Sequence, residues 1–408
     1  MIAALLADGV TELLDVQHCA DSLACLSAIQ SLGAKVLTNA GGILRIEGKA
    51  GKIHPAETEI NCGESGFALR ALASVAALAS QEITLTGRVS LLTRPMNFFE
   101  NVFPKLDVTC KAENGMLPMR IKGPLHYRDV KVDGTVSSQF LSGLLMVYPF
   151  AGEDHVIEVH ELKSRQYIDL TIEVLDDFGI KVRNEGYQKF YVPGNQQYKS
   201  FQGNIEGDWS SAAFMLVAGA TAGQVTVENL NMNSFQPDKA ITTVLKQCGA
   251  GVGMNNNSLS VNSPVKGKLQ GMTQRNALLK PFAFDATGCP DLFPPLVALA
   301  ACCEGVSEIT GVERLFYKES NRALALQQEF SKLNENMVTV EGNKMMIRGG
   351  LKLNSAEVHS HNDHRIAMAL AVAALNVEGG VMIDGCESVE KSYPRFFADL
   401  EKIKSAEK

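Results

Sequence analysis

Four short segments concentrate the residue types that do polar chemistry. In Asp133–Phe140 (DGTVSSQF), Ser137, Ser138 and Gln139 stand at the start of an apolar run. Two adjacent hydroxyls and an amide at a helix start suit a phosphate ester, and a plain capping turn accounts for them equally well. In Lys318–Arg322 (KESNR), preceded by Arg314, Glu319 sits beside a cation that could set its pKa for general acid/base work. Lys318 and Arg322 are four apart, so on a helix they share a face, where two cations repel unless an anion lies between them. A solvated charged surface is the alternative. His359–Arg365 (HSHNDHR) holds three His and one Asp, which invites a metal. The spacing is neither H-x-x-x-H nor H-E-x-x-H, so a helix cap followed by an anion-binding Arg365 is preferred. Lys391–Pro394 (KSYP) and Arg94–Met96 (RPM) are weak signals alone. No P-loop, dinucleotide G-x-G-x-x-G or G-x-S-x-G occurs, so nucleotide and serine-hydrolase chemistry lack support.

The elements that must position these residues repeat along the chain. A polar or small head, an apolar run, a Gly or short turn and a strand-like stretch recur from Glu64, Ser137, Trp209, Asp291 and Asp363. The strand-like stretches read EITLTG, HVIEVH, QVTVEN, VSEITG and GVMIDG. The runs are apolar on nearly every side, which predicts buried helices. Their polar heads fall at helix N-termini, where unpaired N–H groups and a partial positive charge favour anions, or where simple N-capping suffices. More amphipathic helices are expected at Tyr167–Gly179 and Asn321–Leu333. Six units fit the length, and MIAALLADG reads as the back half of the first head helix, without its polar start.

The 408 residues imply two or three domains, with 46% hydrophobic and 20% charged residues, as in globular proteins. A net charge of −7 argues against a nucleic-acid partner. No apolar stretch is long enough for a membrane span, and the N-terminus lacks the basic head of a secretory signal. Nine scattered cysteines without C-x-x-C read as reduced thiols of a cytoplasmic protein, neither a disulfide frame nor a zinc site.

In this order, the segments resemble the 5-enolpyruvylshikimate-3-phosphate (EPSP) synthases, the 3-phosphoshikimate 1-carboxyvinyltransferases of chorismate and aromatic amino-acid biosynthesis. The likeness rests on DGTVSSQFL (133–141), EGDWSSA (206–212), Pro290-Asp291, KESNR (318–322), NDHRIAM (362–368) and KSYPRFF (391–397), nearly end to end. It implies a mixed α/β fold of two similar domains, 1–205 and 206–408. Each is built from three βαβαββ-type units with buried helices and outer mixed sheets. It also implies transfer of the enolpyruvyl group from phosphoenolpyruvate to the 5-hydroxyl of shikimate 3-phosphate by a cytoplasmic monomer without metal or cofactor. By position, Ser137, Ser138 and Ser164 would hold the phosphate of shikimate 3-phosphate and Tyr167 would line its ring. Gln139 would bridge both substrates. Asp291 would bind the reacting hydroxyl as a candidate base, and Lys318, also at that substrate, would handle protons with Glu319. Arg94, Arg322, Arg365 and Lys391 would clamp phosphoenolpyruvate, near the Gly66 backbone and supported by His364. A bound carboxylate or phosphate would then relieve the like charges of Lys318 and Arg322.

The family's N-terminal Lys-Ser-x-Ser-x-Arg segment has no counterpart in this sequence, which predicts a C-terminal domain lacking a strand contribution. A late start site is the favoured explanation. The alternative is a truncated or decayed paralogue that binds shikimate 3-phosphate with little catalysis. The family usually has Asn and Thr where Glu64 and Phe67 stand, and Arg314 replaces a neutral polar residue in many members. The sister UDP-N-acetylglucosamine enolpyruvyl transferases fit less well. Their reactive loop cysteine would be Cys110, which lies in strand-like LDVTCKA instead of a Gly-rich loop.

Overall fold

Each polar-headed apolar run folds as a buried helix in the computed structural model, which describes residues 1–135, 138–264 and 279–405. The five helices are Gly66–Ala76, Ser138–Val147, Trp209–Ala222, Phe293–Ala301 and His364–Ala374. Phe67 is the one residue of Gly66–Ala76 outside the core, and every residue of Phe293–Ala301 is buried. Ile2–Leu6 is a short helix, also buried throughout. The strands expected after the heads form at Glu82–Thr86, His155–His160, Gln224–Glu228, Gly305–Thr310 and Met382–Asp384. The amphipathic helices form at Arg165–Asp177 and Arg322–Leu333.

Contacts divide the chain into two compact units, Met1–Ile205 and Glu206–Lys408. In the first, three four-stranded sheets share one plan. A short edge strand runs parallel to the strand that follows the buried helix, and a hairpin completes the sheet antiparallel. Glu59–Asn61 pairs parallel with Glu82–Thr86, which pairs antiparallel with Met116–Lys122 and so with Thr109–Glu113. Val130–Asp133, His155–His160, Lys189–Val192 and Arg183–Glu185 repeat this order. In the second unit, Ala283–Asp285, Gly305–Thr310, Lys344–Gly349 and Val338–Glu341 repeat it again. Its other sheets are shorter among the described residues. One has three antiparallel strands, and one is the parallel pair Glu357–His359 and Met382–Asp384.

Strand burial alternates, as in Met116–Lys122, so one face packs on the helices and the other meets water. At the ends of three returning strands the backbone passes so close to a helix end that only glycine fits. A Cβ at Gly48, Gly123 or Gly349 would collide with the carbonyl oxygen of Ala7, Ala77 or Ala300. Gly143 serves the same need between two helices: a Cβ there would stand 2.8 Å from both Ala71 O and Ser74 Oγ.

Candidate active site

In the second unit three helices pack together, Trp209–Ala222, Phe293–Ala301 and His364–Ala374. Two of their polar heads are N-caps in the ordinary sense. The Asp208 carboxylate accepts from the Ser210 and Ser211 N–H groups (3.1 and 3.0 Å), and Asp363 accepts from the Arg365 N–H (3.0 Å). These ends carry their own carboxylates, so anion binding falls to the side-chain cations around them.

Those cations converge on carboxylates. Asp291 Oδ1 accepts from Lys318 Nζ (3.1 Å) and Arg322 Nη1 (2.8 Å), while Arg365 Nη2 lies 3.3 Å from Asp291 Oδ2. Arg322 also donates from Nε to Asp363 Oδ2 (2.8 Å) and from Nη2 to Glu319 Oε2 (2.5 Å). Its side chain is 1% exposed. Ser320 Oγ donates to Asp363 Oδ2 (3.0 Å), and Arg365 Nη1 donates to Ser210 Oγ. Lys391, buried at the end of the short 3-10 helix Cys386–Lys391, belongs to a turn packed against His364–Ala374.

This geometry corrects one expectation. Lys318 precedes the helix, which begins at Arg322 with Asn321 as its cap, so the two cations do not share a helix face. Both cations instead meet on the protein's own Asp291.

The electrostatics follow from burial and pairing. Burial alone would raise the Asp291 carboxyl, but Arg365, Lys318 and Arg322 hold it well below the usual carboxylate range. Burial lowers the Lys318 ammonium below its ordinary value, with Arg322 adding to this and Asp291 opposing it. Burial, helped by Arg365, pushes His364 down to about 3, so its imidazole is neutral at pH 7. Consistent with a neutral ring, His364 Nδ1 has no hydrogen-bond partner among the described residues, the Asp363 carboxylate being 3.8 Å away.

In the first unit a second polar group forms at the start of Gly66–Ala76. Arg70 Nη1 donates to Gln139 Oε1 (2.8 Å). A Cβ at Gly66 would lie 2.7 Å from Arg94 Nη1, 3.0 Å from Arg70 Nη1 and 3.7 Å from Gln139 Oε1. Gly66, Arg70, Arg94 and Gln139 therefore meet at one point. Ser138 is buried beside Gln139. Ser164, buried and left-handed (φ 52°), caps Arg165–Asp177, where half-buried Tyr167 donates its N–H to the Ser164 carbonyl (3.2 Å). Ser137 lies outside the described residues.

The sequence reading missed Arg70, although a lone cation in the otherwise apolar ALRALASVAALAS was a usable signal. It also missed Asp238, 3% exposed, whose Oδ1 has no hydrogen-bond partner among the described residues. Burial, then the nearby Asp291 charge, raises its carboxyl to about 7. Among the described residues no group of three or more His, Cys, Asp or Glu side chains is arranged to hold a metal ion, and no helix is long and apolar enough to cross a membrane.

Comparison with known proteins bears on the chain as a whole. The family model described as EPSP synthase (3-phosphoshikimate 1-carboxyvinyltransferase) matches residues 1–400. The chain belongs to the EPSP synthase family. It is 35% identical to a 3-phosphoshikimate 1-carboxyvinyltransferase of Clostridium novyi (strain NT), covering 99% of this chain and 91% of that protein. It is 36% identical to the Clostridium kluyveri protein of the same name, with the same coverage. Among solved structures, an EPSP synthase from Acinetobacter baumannii superposes with a TM-score of 0.78 at 25% identity, covering 98% of this chain and 92% of that one. The mixed α/β fold and the enolpyruvyl-transfer reaction class expected from the sequence are those of the EPSP synthase family.

Two further positions singled out in the sequence acquire structure. Glu64 is tied down, its Oε2 accepting from Ser90 Oγ (2.7 Å) and Ser90 N–H (3.2 Å). Phe67 projects from its helix, 42% exposed.

Proposed function

We propose that this chain transfers the enolpyruvyl group of phosphoenolpyruvate to the 5-hydroxyl of shikimate 3-phosphate, releasing phosphate, without metal or organic cofactor. Membership of the EPSP synthase family over residues 1–400 carries this reading, and the buried cation–carboxylate cluster supports it. Both substrates are polyanions, so charge-assisted contacts supply binding. Ser137, Ser138 and Ser164 take the phosphate of shikimate 3-phosphate, with Tyr167 along its ring. Gln139 contacts both substrates. Gly66, Arg94, Arg322, His364, Arg365 and Lys391 are the residues assigned to phosphoenolpyruvate, and Arg70 orients Gln139.

Chemistry needs a proton delivered to the methylene carbon and later removed. Asp291, held ionised, accepts a hydrogen bond from the reacting hydroxyl. The cations that keep it ionised also make it a weak base, so proton transfer is assigned to Lys318 and Glu319. Lys318 is suited to this because burial lowers its pKa from the ordinary value. We further propose a monomer, and a cytoplasmic location in keeping with nine free cysteine thiols.

Phosphate release measured with each substrate alone and with both tests the reading. Release that requires both supports it. Release from phosphoenolpyruvate alone, or binding of shikimate 3-phosphate without turnover, refutes it. A sharper expectation concerns Gly66→Ala. Its methyl group would press on the Arg94 and Arg70 guanidinium groups at 2.7 and 3.0 Å. The KM for phosphoenolpyruvate should rise about 10- to 100-fold, on the order of 1–3 kcal/mol, with that for shikimate 3-phosphate nearly unchanged. Initial-rate kinetics with each substrate varied would show the difference.

A further inference from the structure

The helix Arg322–Leu333 grips the segment before His364–Ala374 at two points. At its start, Arg322 holds Asp363. Two turns later stands Glu329, a carboxylate that is 2% exposed and has no place in the chemistry assigned above. Its Oε2 accepts from the His359 backbone N–H (2.8 Å) and from Lys332 Nζ (2.7 Å), and its Oε1 lies 2.8 Å from His361 Nε2. The His361 N–H in turn donates to His359 Nδ1 (2.7 Å).

The segment thus held is an uncommon one. His361 and Asn362 are consecutive non-glycine residues with φ of 55° and 54°. L-residues seldom adopt that region, and it persists only where the surroundings over-determine it. The turn is closed by the Ser360 hydroxyl, which accepts from the Asn362 N–H (3.2 Å), and by the Ser360 carbonyl, which accepts from the Asp363 N–H (3.0 Å). Next come Asp363, which accepts from Arg322, His364, which is the buried neutral imidazole, and Arg365, which reaches Asp291. Glu329 itself touches none of the reacting groups. Its grip sets the left-handed turn, and the turn sets the start of the helix that delivers Arg365.

We infer that Glu329 and His361 are positioning residues that hold the 359–363 turn so that His364 and Arg365 face phosphoenolpyruvate. This rests on the function proposed above. Loss of the grip lets the helix start shift without removing any group that contacts substrate, and displacements of about 1 Å are enough to change rates markedly.

The test is a set of full-length variants under steady-state kinetics, with thermal unfolding in parallel. In His361→Ala, the KM for phosphoenolpyruvate is expected to rise about tenfold, with the KM for shikimate 3-phosphate within about twofold of the parent. His361→Gln, whose amide can still donate to Glu329, should recover most of the loss. Glu329→Gln should follow His361→Ala in direction. If Glu329→Gln fails to fold, the His361 pair still decides. Unchanged phosphoenolpyruvate KM in His361→Ala overturns the inference. So does an equal rise in both KM values with a lowered unfolding temperature, or a His361→Gln variant no better than His361→Ala. Failure of the parent chain to turn over would instead refute the function proposed above.

Discussion

Replacing Arg322 with Met is expected to lower the unfolding free energy at pH 7 by about 3–5 kcal/mol and to abolish turnover. Arg322 is buried against three carboxylates, Asp291, Glu319 and Asp363, with contacts of 2.8, 2.5 and 2.8 Å. Methionine fills the space but leaves those carboxylates short of a cation in a low-dielectric interior. Arg322→Lys should recover only part of the loss, because a point charge cannot serve three acceptors as the guanidinium fork does. The pH dependence has a defined sign. In the parent chain, Asp291 and Asp363 titrate below their ordinary range. Their contribution is therefore complete above the unfolded value of about 3.9 and is lost only as pH falls through the folded values. Without Arg322 the effect of burial on them is less opposed, so the variant takes up protons at higher pH. Its deficit in urea unfolding should narrow from pH 7 to pH 4. A deficit below about 1 kcal/mol, or one independent of pH, would mean that water or Lys318 compensates the cluster.

Asp238→Asn should have the opposite effect on stability. Burial and the Asp291 charge raise this carboxyl to about 7. A raised acid holds a proton in the native state that the unfolded chain releases at about pH 3.9. Parent stability should therefore fall as pH climbs from about 4 to about 7. Asparagine matches the neutral carboxyl in shape and cannot ionise. The two proteins should unfold alike at pH 4, and the variant should gain at pH 8, by up to about 4 kcal/mol for a shift of this size. Arg365 is stabilised by Asp291 first and Asp238 only second, so it keeps its main partner in the variant. Parallel unfolding curves at pH 4, 6 and 8 would reveal the divergence. An Asn variant less stable at pH 8 would show that Asp238 is ionised and needed as a counter-charge.

Much of this architecture was legible because its signals are local. An apolar run too hydrophobic for a surface helix must be buried, and a polar residue before it caps it. The helices Trp209–Ala222 and His364–Ala374 begin at and one residue after the expected positions for that reason. What was not legible depends on partners distant in sequence. The Lys318–Arg322 spacing implied a shared helix face, but the Asn321 cap placed Lys318 outside the helix, and Asp291, 27 residues before Lys318, supplied the anion. Glu329 lies in an amphipathic helix where a carboxylate is ordinarily solvated, and its partners are 30 and 32 residues away. Asp238 sits in a polar loop sequence, SFQPDKA, that gives no hint of burial. Arg70 is the instructive case, since its apolar neighbours already required a buried charge with a partner, and that partner was the already suspected Gln139.

In the proposed reaction this chain protonates the methylene carbon of phosphoenolpyruvate, joins it to shikimate 3-phosphate, and then removes a proton. Running the reaction in deuterium oxide and examining the product by NMR tests that sequence directly. Addition converts the methylene into a freely rotating methyl group, so elimination can remove either isotope. Deuterium is expected in the vinylidene group of 5-enolpyruvylshikimate 3-phosphate. A product with only protium there would contradict addition followed by elimination, and no product at all would contradict the assigned function.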